Sequence, residues 1–174
     1  DTERVLTVLN NNVSLLKLAV IIQMTLPGVP LIYYGDEAGV CGFTDPDNRR
    51  TYPWGHEDKE LIDFHKAAIK MHKENEVLRT GSYKQLYSAH NVIAYGRFTS
   101  DDAVIVVVNN GEDEIRVNIP AWETGLAMDD DVEQIMVTFE GGYSTDRQGY
   151  RLKDGILNIG LRKTSATVLR RLRW

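Results

Sequence analysis

The chain has 174 residues, of which 43% are hydrophobic and 26% charged, and its formal net charge is −5 at pH 7. This composition is ordinary for a globular protein of one domain or two small ones. The negative balance argues against a nucleic-acid partner, and no apolar run approaches the roughly 20 residues that cross a bilayer, so we expect no membrane partner either. The single cysteine, Cys41, excludes an internal disulfide and a cysteine-based metal site.

The N-terminal segment "DTERVL" begins without Met and has no signal-peptide layout. We therefore expect the chain to be part of a longer protein. Its localisation stays open, and the lone cysteine slightly favours a reducing, cytoplasmic compartment.

The first half of the chain predicts helix, strand, loop and helix. Residues 14–26 carry apolar side chains at three- and four-residue spacing, which indicates a helix with Ser14 as its N-cap. The run "VPLIYY" is typical of a parallel strand buried on both faces. A second helix is predicted over residues 58–75. The core-facing positions expected for the two helices are Leu15, Leu18, Ala19, Ile22 and Leu26, then Leu61, Phe64, Ala68 and Met71.

Beyond residue 80 the pattern changes to short β-rich segments separated by Gly, Asn, Asp or Ser. The segments are "YKQLY", "NVIAYGRF", "AVIVVVN", "EIRVNIP", "EQIMVTF", "GILNIGL" and "ATVLRRL". Several alternate apolar with polar residues, as strands with one wet face do. The predicted fold class is therefore α/β plus all-β, with a first domain over residues 1–80 and an antiparallel β-sandwich over residues 81–174.

The loop "GFTDPDNRRTYPW", residues 42–54, follows the predicted strand. Ligand sites of α/β folds lie at the carboxyl ends of parallel strands, so this loop falls on the functional side. Asp and Arg suit sugar hydroxyls as acceptor and donor, and Tyr and Trp offer flat faces to a pyranose ring. The mixture predicts a polyhydroxylated ligand, and Asp1 and Arg4 add a second acid and arginine at the neighbouring strand end.

Three motifs in this order carry a resemblance to a known family. "DTER" resembles the tail of the His-Asp signature after the seventh barrel strand of the α-amylase family of glycoside hydrolases. "GVPLIYYGDE" resembles that family's eighth-strand motif, and "DPDNRR…PW" resembles the loop after it. The resemblance covers the whole chain and implies the last strand-helix units of a (β/α)8 barrel followed by the C-terminal β-sandwich. It favours the neopullulanase, cyclomaltodextrinase and maltogenic amylase branch, with oligo-glucosidases as the alternative.

The resemblance implies a retaining glycoside hydrolase acting on α-glucans such as maltooligosaccharides, cyclodextrin, pullulan or starch. Asp1 matches the carboxylate that stabilises the transition state. Asp45 and Arg49 match the pair that binds a glucose unit on the non-reducing side of the cleavage point. Trp54 is a candidate for sugar stacking, with core packing as its alternative. A local ion pair that stiffens the turn is the alternative for Asp45 and Arg49.

Structural support is the expected role of Arg4, Glu37 and Arg50, and we expect no cofactor and no metal in this chain. The seven-residue spacing of His65 and His72 on one helix lacks acidic companions, so a surface or partly buried role is expected.

The family's nucleophile and acid/base lie on its fourth and fifth strands, upstream of this chain, so we predict that the chain alone is inactive. The sandwich could instead be a carbohydrate-binding module, but Tyr83, Tyr87, Tyr95 and Trp122 are dispersed, and a structural cap on the barrel is preferred. A parallel strand without neighbours leaves an exposed edge. Residues 1–80 are therefore expected to dock on the sandwich, on other copies of the chain as a homo-oligomer, or on a missing fragment.

Overall fold

A computed structural model describes residues 2–172 of the chain. Helices from the first half pack on one face of a seven-stranded antiparallel sheet, and a two-stranded sheet covers part of its other face. The predicted fold class, α/β plus all-β with the last strand-helix units of a (β/α)8 barrel before an antiparallel β-sandwich, is confirmed by the helices and the sandwich.

Four helices precede the sandwich in the described chain: α1 (Val5–Val8), α2 (Val13–Thr25), α3 (Lys59–Glu74) and α4 (Glu76–Thr80). Helix α3 agrees with its prediction, because its apolar stripe is confined to one side. The Asp58 carboxylate caps it by accepting a hydrogen bond of 2.9 Å from the amide of Leu61. The four predicted inward positions of α3 are all buried.

For helix α2, the predicted cap is wrong, and the predicted core face is confirmed in part. The cap is Asn12 rather than Ser14, and its side chain accepts a 3.1 Å hydrogen bond from the amide of Leu15. Leu18 is the one predicted core position that is fully buried. Leu15, Ile22 and Leu26 are partly buried and pack against the core. Apolar residues surround most of this helix, so residue spacing alone did not identify the full buried side. The buried set is Leu16, Lys17, Leu18, Val20, Ile21, Met24 and Thr25.

The strand predicted for "VPLIYY" is not formed in the described structure. The side chains of Val29 and Leu31 are 94% and 73% exposed, and the segment pairs with no described strand. Side chains from outside the segment bind its backbone at two points: the Gln23 amide nitrogen donates to the carbonyl of Leu31 at 2.7 Å, and Arg4 Nη1 donates to the carbonyl of Tyr34 at 2.7 Å. A parallel strand takes its hydrogen bonds from neighbouring strands, and this segment has none beside it.

All seven predicted β segments correspond to strands, and the structure adds two short ones, β6 and β7. The strands are β1 (Ser82–Ala89), β2 (Val92–Phe98), β3 (Ala103–Asn109), β4 (Ile115–Pro120), β5 (Asp131–Phe139), β6 (Gly142–Ser144), β7 (Gln148–Arg151), β8 (Ile156–Leu161) and β9 (Ser165–Arg171). The large sheet has the order β1-β2-β3-β9-β5, and β6 and β7 pair along the outer edge of β5. Strands β4 and β8 form the second sheet. Helix α4 ends one residue before Gly81, close to the predicted domain boundary.

The centre of the molecule is β3, all of whose residues are buried. Val104, Val106 and Val108 point into a core shared with α2, α3 and α4. The alternate side chains of the same strand point into a second core under the two-stranded sheet. The first half of the chain is therefore docked on the sandwich, as one of the three expected arrangements proposed.

Arg97 of β2 ties the helices to the sheet. Its side chain is 1% exposed. One guanidinium nitrogen donates to the carbonyls of Thr25 and Leu78 at 2.8 Å each, and another donates to the carbonyl of Gly81 at 2.8 Å. Carbonyls at helix C-termini have no partner within their own helix, so Arg97 satisfies groups that would otherwise be buried unpaired. The hydroxyls of Tyr95 and Thr25 lie 2.6 Å apart in the same region.

Within residues 2–172, no helix has both the length and the hydropathy needed to cross a membrane.

Replacing Arg97 should destabilise the folded protein. Arg97→Met leaves three buried carbonyls without a donor, and we expect the free energy of unfolding to fall by about 2–4 kcal/mol. Urea unfolding followed by circular dichroism measures the change. Arg116→Met is the matched control, since that guanidinium is exposed and donates to the side chain of Asn158. The control should stay within about 0.5 kcal/mol of the wild type. Equal losses for the two variants would contradict the role given to Arg97.

Candidate functional site

Arg4 joins the N-terminal segment to the loops that follow residue 34. The residue is 3% exposed. Its Nε donates to the carbonyl of Asn48 at 2.7 Å, and its Nη1 donates to the carbonyl of Tyr34 at 2.7 Å and to the Asp36 carboxylate at 3.0 Å. One side chain thus fixes three points of the segment from 34 to 48.

The Arg4 guanidinium also lies between two aromatic rings. Its central carbon is 4.2 Å from the ring centroid of Tyr33 and 4.6 Å from that of Tyr34, which is cation–π geometry. The backbone amide of Arg4 donates to the carbonyl of Gly42 at 2.9 Å. Asp1, the predicted transition-state carboxylate, precedes Arg4 by three positions and lies outside the described residues.

Burial and the neighbouring charge of Arg4 shift the pKa of the Asp36 carboxyl in opposite directions. Burial raises the pKa of the Asp36 carboxyl above its ordinary value of 3.8, and the hydrogen bond and positive charge of Arg4 oppose this rise without cancelling it. The ion pair spans 3.0 Å, with Arg4 almost fully buried and Asp36 partly so. Asp36 was not among the predicted site residues, although it stands in the "YYGDE" motif beside Glu37.

Asp45 and Arg49 form an ion pair with each other at the exposed rim of the loop. Asp45 Oδ1 and Arg49 Nε are 2.7 Å apart, and their side chains are 45% and 59% exposed. The structure therefore contains the local ion pair that the sequence offered as an alternative to sugar binding. Exposed ion pairs stabilise a fold little, so this geometry is compatible with a ligand that exchanges bonds with the same groups.

A second acid, Asp47, organises the turn between these residues. Its Oδ2 accepts from the amide of Phe43 at 2.7 Å, and its Oδ1 accepts from the Nε and Nη2 of Arg50 at 2.9 and 2.7 Å. The Phe43 amide and then Arg50 hold the pKa of the Asp47 carboxyl below its ordinary value. The carbonyl of Arg50 accepts from the hydroxyl of Tyr34 at 3.0 Å. Arg50 thus contacts the loop itself. Asp47 was not among the site residues named from the sequence.

Glu37, Tyr52 and Trp54 form the other side of the loop region. Glu37 lies in a short 3-10 turn, and one of its carboxylate oxygens is buried without a hydrogen-bond partner. Desolvation, and then the negative charge of Glu37, raise the pKa of the Tyr52 phenol. The ring of Trp54 is 80% exposed and contacts the ring of Tyr52 at a centroid distance of 4.6 Å. Trp54 is thus outside both hydrophobic cores.

An open cleft of about 600 Å³ lies beside Arg4 and Arg49. It brings these two arginines together with Asp36, while Trp54, Glu37 and Arg50 do not line it. The lining residues are Thr2, Glu3, Arg4, Val5, Leu31, Tyr33, Asp36, Asn48 and Arg49. Asn48 adds a buried amide oxygen without a partner. Sequence reasoning named neither Asn48 nor Tyr33, because their position depends on how the chain folds around Arg4.

The two helical histidines are bound to the backbone. The Nδ1 of His65 lies 2.9 Å from the carbonyl of Leu61, and the Nδ1 of His72 lies 2.8 Å from the carbonyl of Met24. His65 is fully buried, which is more than the sequence predicted. In the part of the chain that the structure describes, no three His, Cys, Asp or Glu side chains are placed to hold a metal ion.

The opposite pKa shifts of Asp36 and Asp47 predict opposite effects of pH on stability. A raised pKa in the folded state means that ionised Asp36 costs stability as pH rises above 3.8. The free energy of unfolding of the wild type minus that of Asp36→Asn should therefore fall as the pH rises. The same difference for Asp47→Asn should rise, because a lowered pKa stabilises the fold above the unfolded value. Urea titrations between about pH 3 and pH 7 test both signs, and parallel curves would contradict the assignment.

Comparisons with known proteins bear on this site. Residues 1–85 match the family model for the catalytic domain of alpha-amylase. The chain is 44% identical over 138 residues to an amylopullulanase of Thermoanaerobacter thermohydrosulfuricus, an alignment that covers 64% of this chain and 9% of that protein. It is 45% identical over 112 residues to a cyclomaltodextrinase of Thermoanaerobacter pseudethanolicus, which covers 63% of this chain and 20% of the relative.

A solved structure of an alpha-amylase resembles the chain over its full length. The crystal structure of an Anoxybacillus alpha-amylase superposes with a TM-score of 0.83 at 27% identity, covering 100% of this chain and 36% of that chain. The chain thus spans between about a tenth and a third of the proteins it matches. The likeness extends through both the helical segment and the sandwich. The chain belongs to the α-amylase family of glycoside hydrolases, and residues 1–85 correspond to part of that family's catalytic domain.

Proposed function

We propose that this chain forms the C-terminal part of a retaining glycoside hydrolase that cleaves α-glucans such as maltooligosaccharides, cyclodextrin, pullulan or starch. The observation that carries the proposal is the joining of two predicted site segments by one buried side chain. Arg4 follows Asp1 in the chain and binds the segment that leads to Asp45 and Arg49. The segment that begins at Thr2 is thereby held against the loop that carries the proposed sugar-binding pair, which supports the proposal.

Asp45 and Arg49 have the chemistry to bind one sugar unit. A carboxylate accepts hydrogen bonds from sugar hydroxyls, and a guanidinium donates to their oxygens in a fixed geometry. Both side chains are substantially exposed, so a ligand can reach them. Trp54 lies outside the cleft but presents an exposed ring in the same loop of residues 42–54, where it would stack on the apolar face of a pyranose.

The supporting roles proposed for Arg4, Glu37 and Arg50 rest on their contacts. Arg4 bonds to two backbone carbonyls and to Asp36. Arg50 pairs with Asp47, whose other oxygen holds the amide of Phe43. Glu37 acts on Tyr52 through its charge. None of these contacts moves a proton to or from a substrate, so we assign all three residues to positioning.

Retention of configuration requires a nucleophilic carboxylate and an acid/base carboxyl about 5–5.5 Å apart. In this family they are contributed by earlier barrel strands, and Asp1 supplies only the third acid. We therefore propose that the chain acts within a longer enzyme and needs no cofactor of its own. The unpaired segment at Val29 and Leu31 is the proposed contact for further barrel strands, or for a second copy of the chain in their absence.

The sandwich has a structural role in this proposal. Its large sheet buries the apolar faces of α2, α3 and α4 in a common core. That observation favours the cap over a detached binding module.

Hydrolysis assays test the proposed function. The purified 174-residue chain should release no reducing ends from cyclodextrin or maltotriose. In a longer enzyme that includes the preceding barrel strands, Asp45→Ala should raise KM about tenfold or more, since it removes hydrogen bonds from a charged group to the sugar. Asp63→Ala is the control, because this acid lies on the exposed side of α3 and pairs with Lys66. Turnover by the short chain that disappears in its own Asp45→Ala variant would refute this division of roles.

A further inference from the structure

The inner face of the seven-stranded sheet changes character where the two-stranded sheet stops covering it. Under β4 and β8 this face is apolar, as at Ile105 and Leu169. Further along β9 the same face carries Ser165 and Thr167, and β5 contributes Gln134. All three polar residues are buried. The Ser165 hydroxyl donates to the carbonyl of Arg162 at 2.7 Å, so this part of the face is polar and internally bonded where the covered part is apolar.

Strand register shows that this polar surface is the floor of a trough. Gln148 of β7 pairs with Gln134, and Ser144 of β6 pairs with Val137, so the floor extends from β9 across β5 to β6 and β7. The loop between β6 and β7 borders one side of the trough, where the side-chain amide of Gln134 donates to the carbonyl of Asp146 at 3.1 Å. The trough has a volume of about 580 Å³, within the usual range for ligand sites.

An aromatic ring stands at each end of the trough. Tyr150 lies opposite Val132 at one end of β5, and Phe139 is the last residue of the strand at the other end. The guanidinium of Arg162 lies 5.1 Å from the ring centroid of Phe139. From Val132 to Phe139 the strand rise gives a separation of roughly 20 Å. A ligand that touches both rings must therefore be a chain of several units.

The charged groups around the trough are mixed in sign. Arg147 is paired with Glu133 at 3.1 Å, Asp146 places a carboxylate on the same rim, and Arg162 adds a second guanidinium. The accessible contacts thus combine groups of both charges with the side chains of Ser144 and Gln148 and the two aromatic rings. They suit a neutral polyhydroxylated chain, whose hydroxyls exchange hydrogen bonds and whose ring faces lie on aromatic side chains.

We propose that this trough, between Phe139 and Tyr150, is a second carbohydrate site that binds an α-glucan chain away from the loop of residues 42–54. The choice of an α-glucan rests on the proposed function, whereas the preference for a neutral sugar chain follows from the lining itself. No residue lines both the trough and the cleft beside Arg4. The site also differs from the dispersed aromatic residues considered from the sequence, of which Tyr95 is buried.

Binding of maltoheptaose to the isotope-labelled 174-residue chain, followed by NMR, tests the proposal. Amide shifts should change at Gln134, Ser144, Gln148 and Thr167. Phe139→Ala should weaken binding about tenfold, equivalent to the loss of about 1.4 kcal/mol. Gln148→Ala is a second variant at an exposed side chain, for which normal folding is expected and a several-fold loss of affinity is predicted.

Trp122→Ala is the matched control, since it removes an exposed aromatic ring of the sandwich that does not line the trough. It should leave the affinity of the trough unchanged. Loss of binding in Trp122→Ala with normal binding in Phe139→Ala and Gln148→Ala would overturn the trough and leave the hydrolase proposal intact. Absence of binding at 10-millimolar sugar, on the order of the weakest useful affinities, would also overturn it. Equal affinity for cellohexaose would contradict the assignment to α-glucan.

Discussion

The packing of α2, α3 and α4 on the outer face of the large sheet is the constraint on which the rest of the structure depends. Residues 29–34 have no neighbouring strand, so the first half of the chain cannot be held by a sheet of its own. It is held by an apolar core that reaches from Phe64 on α3 to Val106 on β3. Because β3 also faces the second core, the two halves of the chain share their central strand.

Arg97 adds directional hydrogen bonds to this non-directional apolar packing. Apolar burial favours contact but does not by itself fix how helices end against a sheet. The three carbonyls that Arg97 binds belong to the end of α2, to α4 and to the residue that begins the sandwich. The bond from Arg97 to Thr25 connects the sheet to the C-terminal end of α2. At the other end of the helical region, Asn12 caps α2 and Arg4 binds the segment from 34 to 48. The loop of residues 42–54 is therefore positioned through a continuous set of contacts that begins in the sandwich.

Sequence reasoning succeeded where the signal was local. Helix α3 has one apolar stripe and a clear cap at Asp58, and the strands of the sandwich are separated by strong turn residues. It was incomplete for α2, whose apolar residues surround the helix, and it failed for residues 29–34, whose conformation depends on strands that must lie beside them. At the site, the loop was recognised from its composition, and the ion pair of Asp45 and Arg49 was one of the two alternatives. The position of Arg4 between Tyr33 and Tyr34 could not be predicted, because it depends on long-range packing.

The two regions proposed to bind sugar lie on different kinds of backbone. The exposed loop presents charged groups whose bonds are mainly within the loop itself, as at Asp47. The trough presents its groups on strands of the large sheet and on the loop between β6 and β7. Strands hold side chains more rigidly than loops do, so under the two proposals the loop would supply adaptable contacts and the sandwich a preformed surface.

Native-state hydrogen exchange tests the central claim, that the sandwich and the helices form one cooperative unit. The amides of α2 and α3 should exchange with opening free energies close to those of β3 and β9, since all four elements share one core. Helices that open at much lower free energy than β3, while the sheet stays protected, would contradict the account and show that the sandwich folds without them.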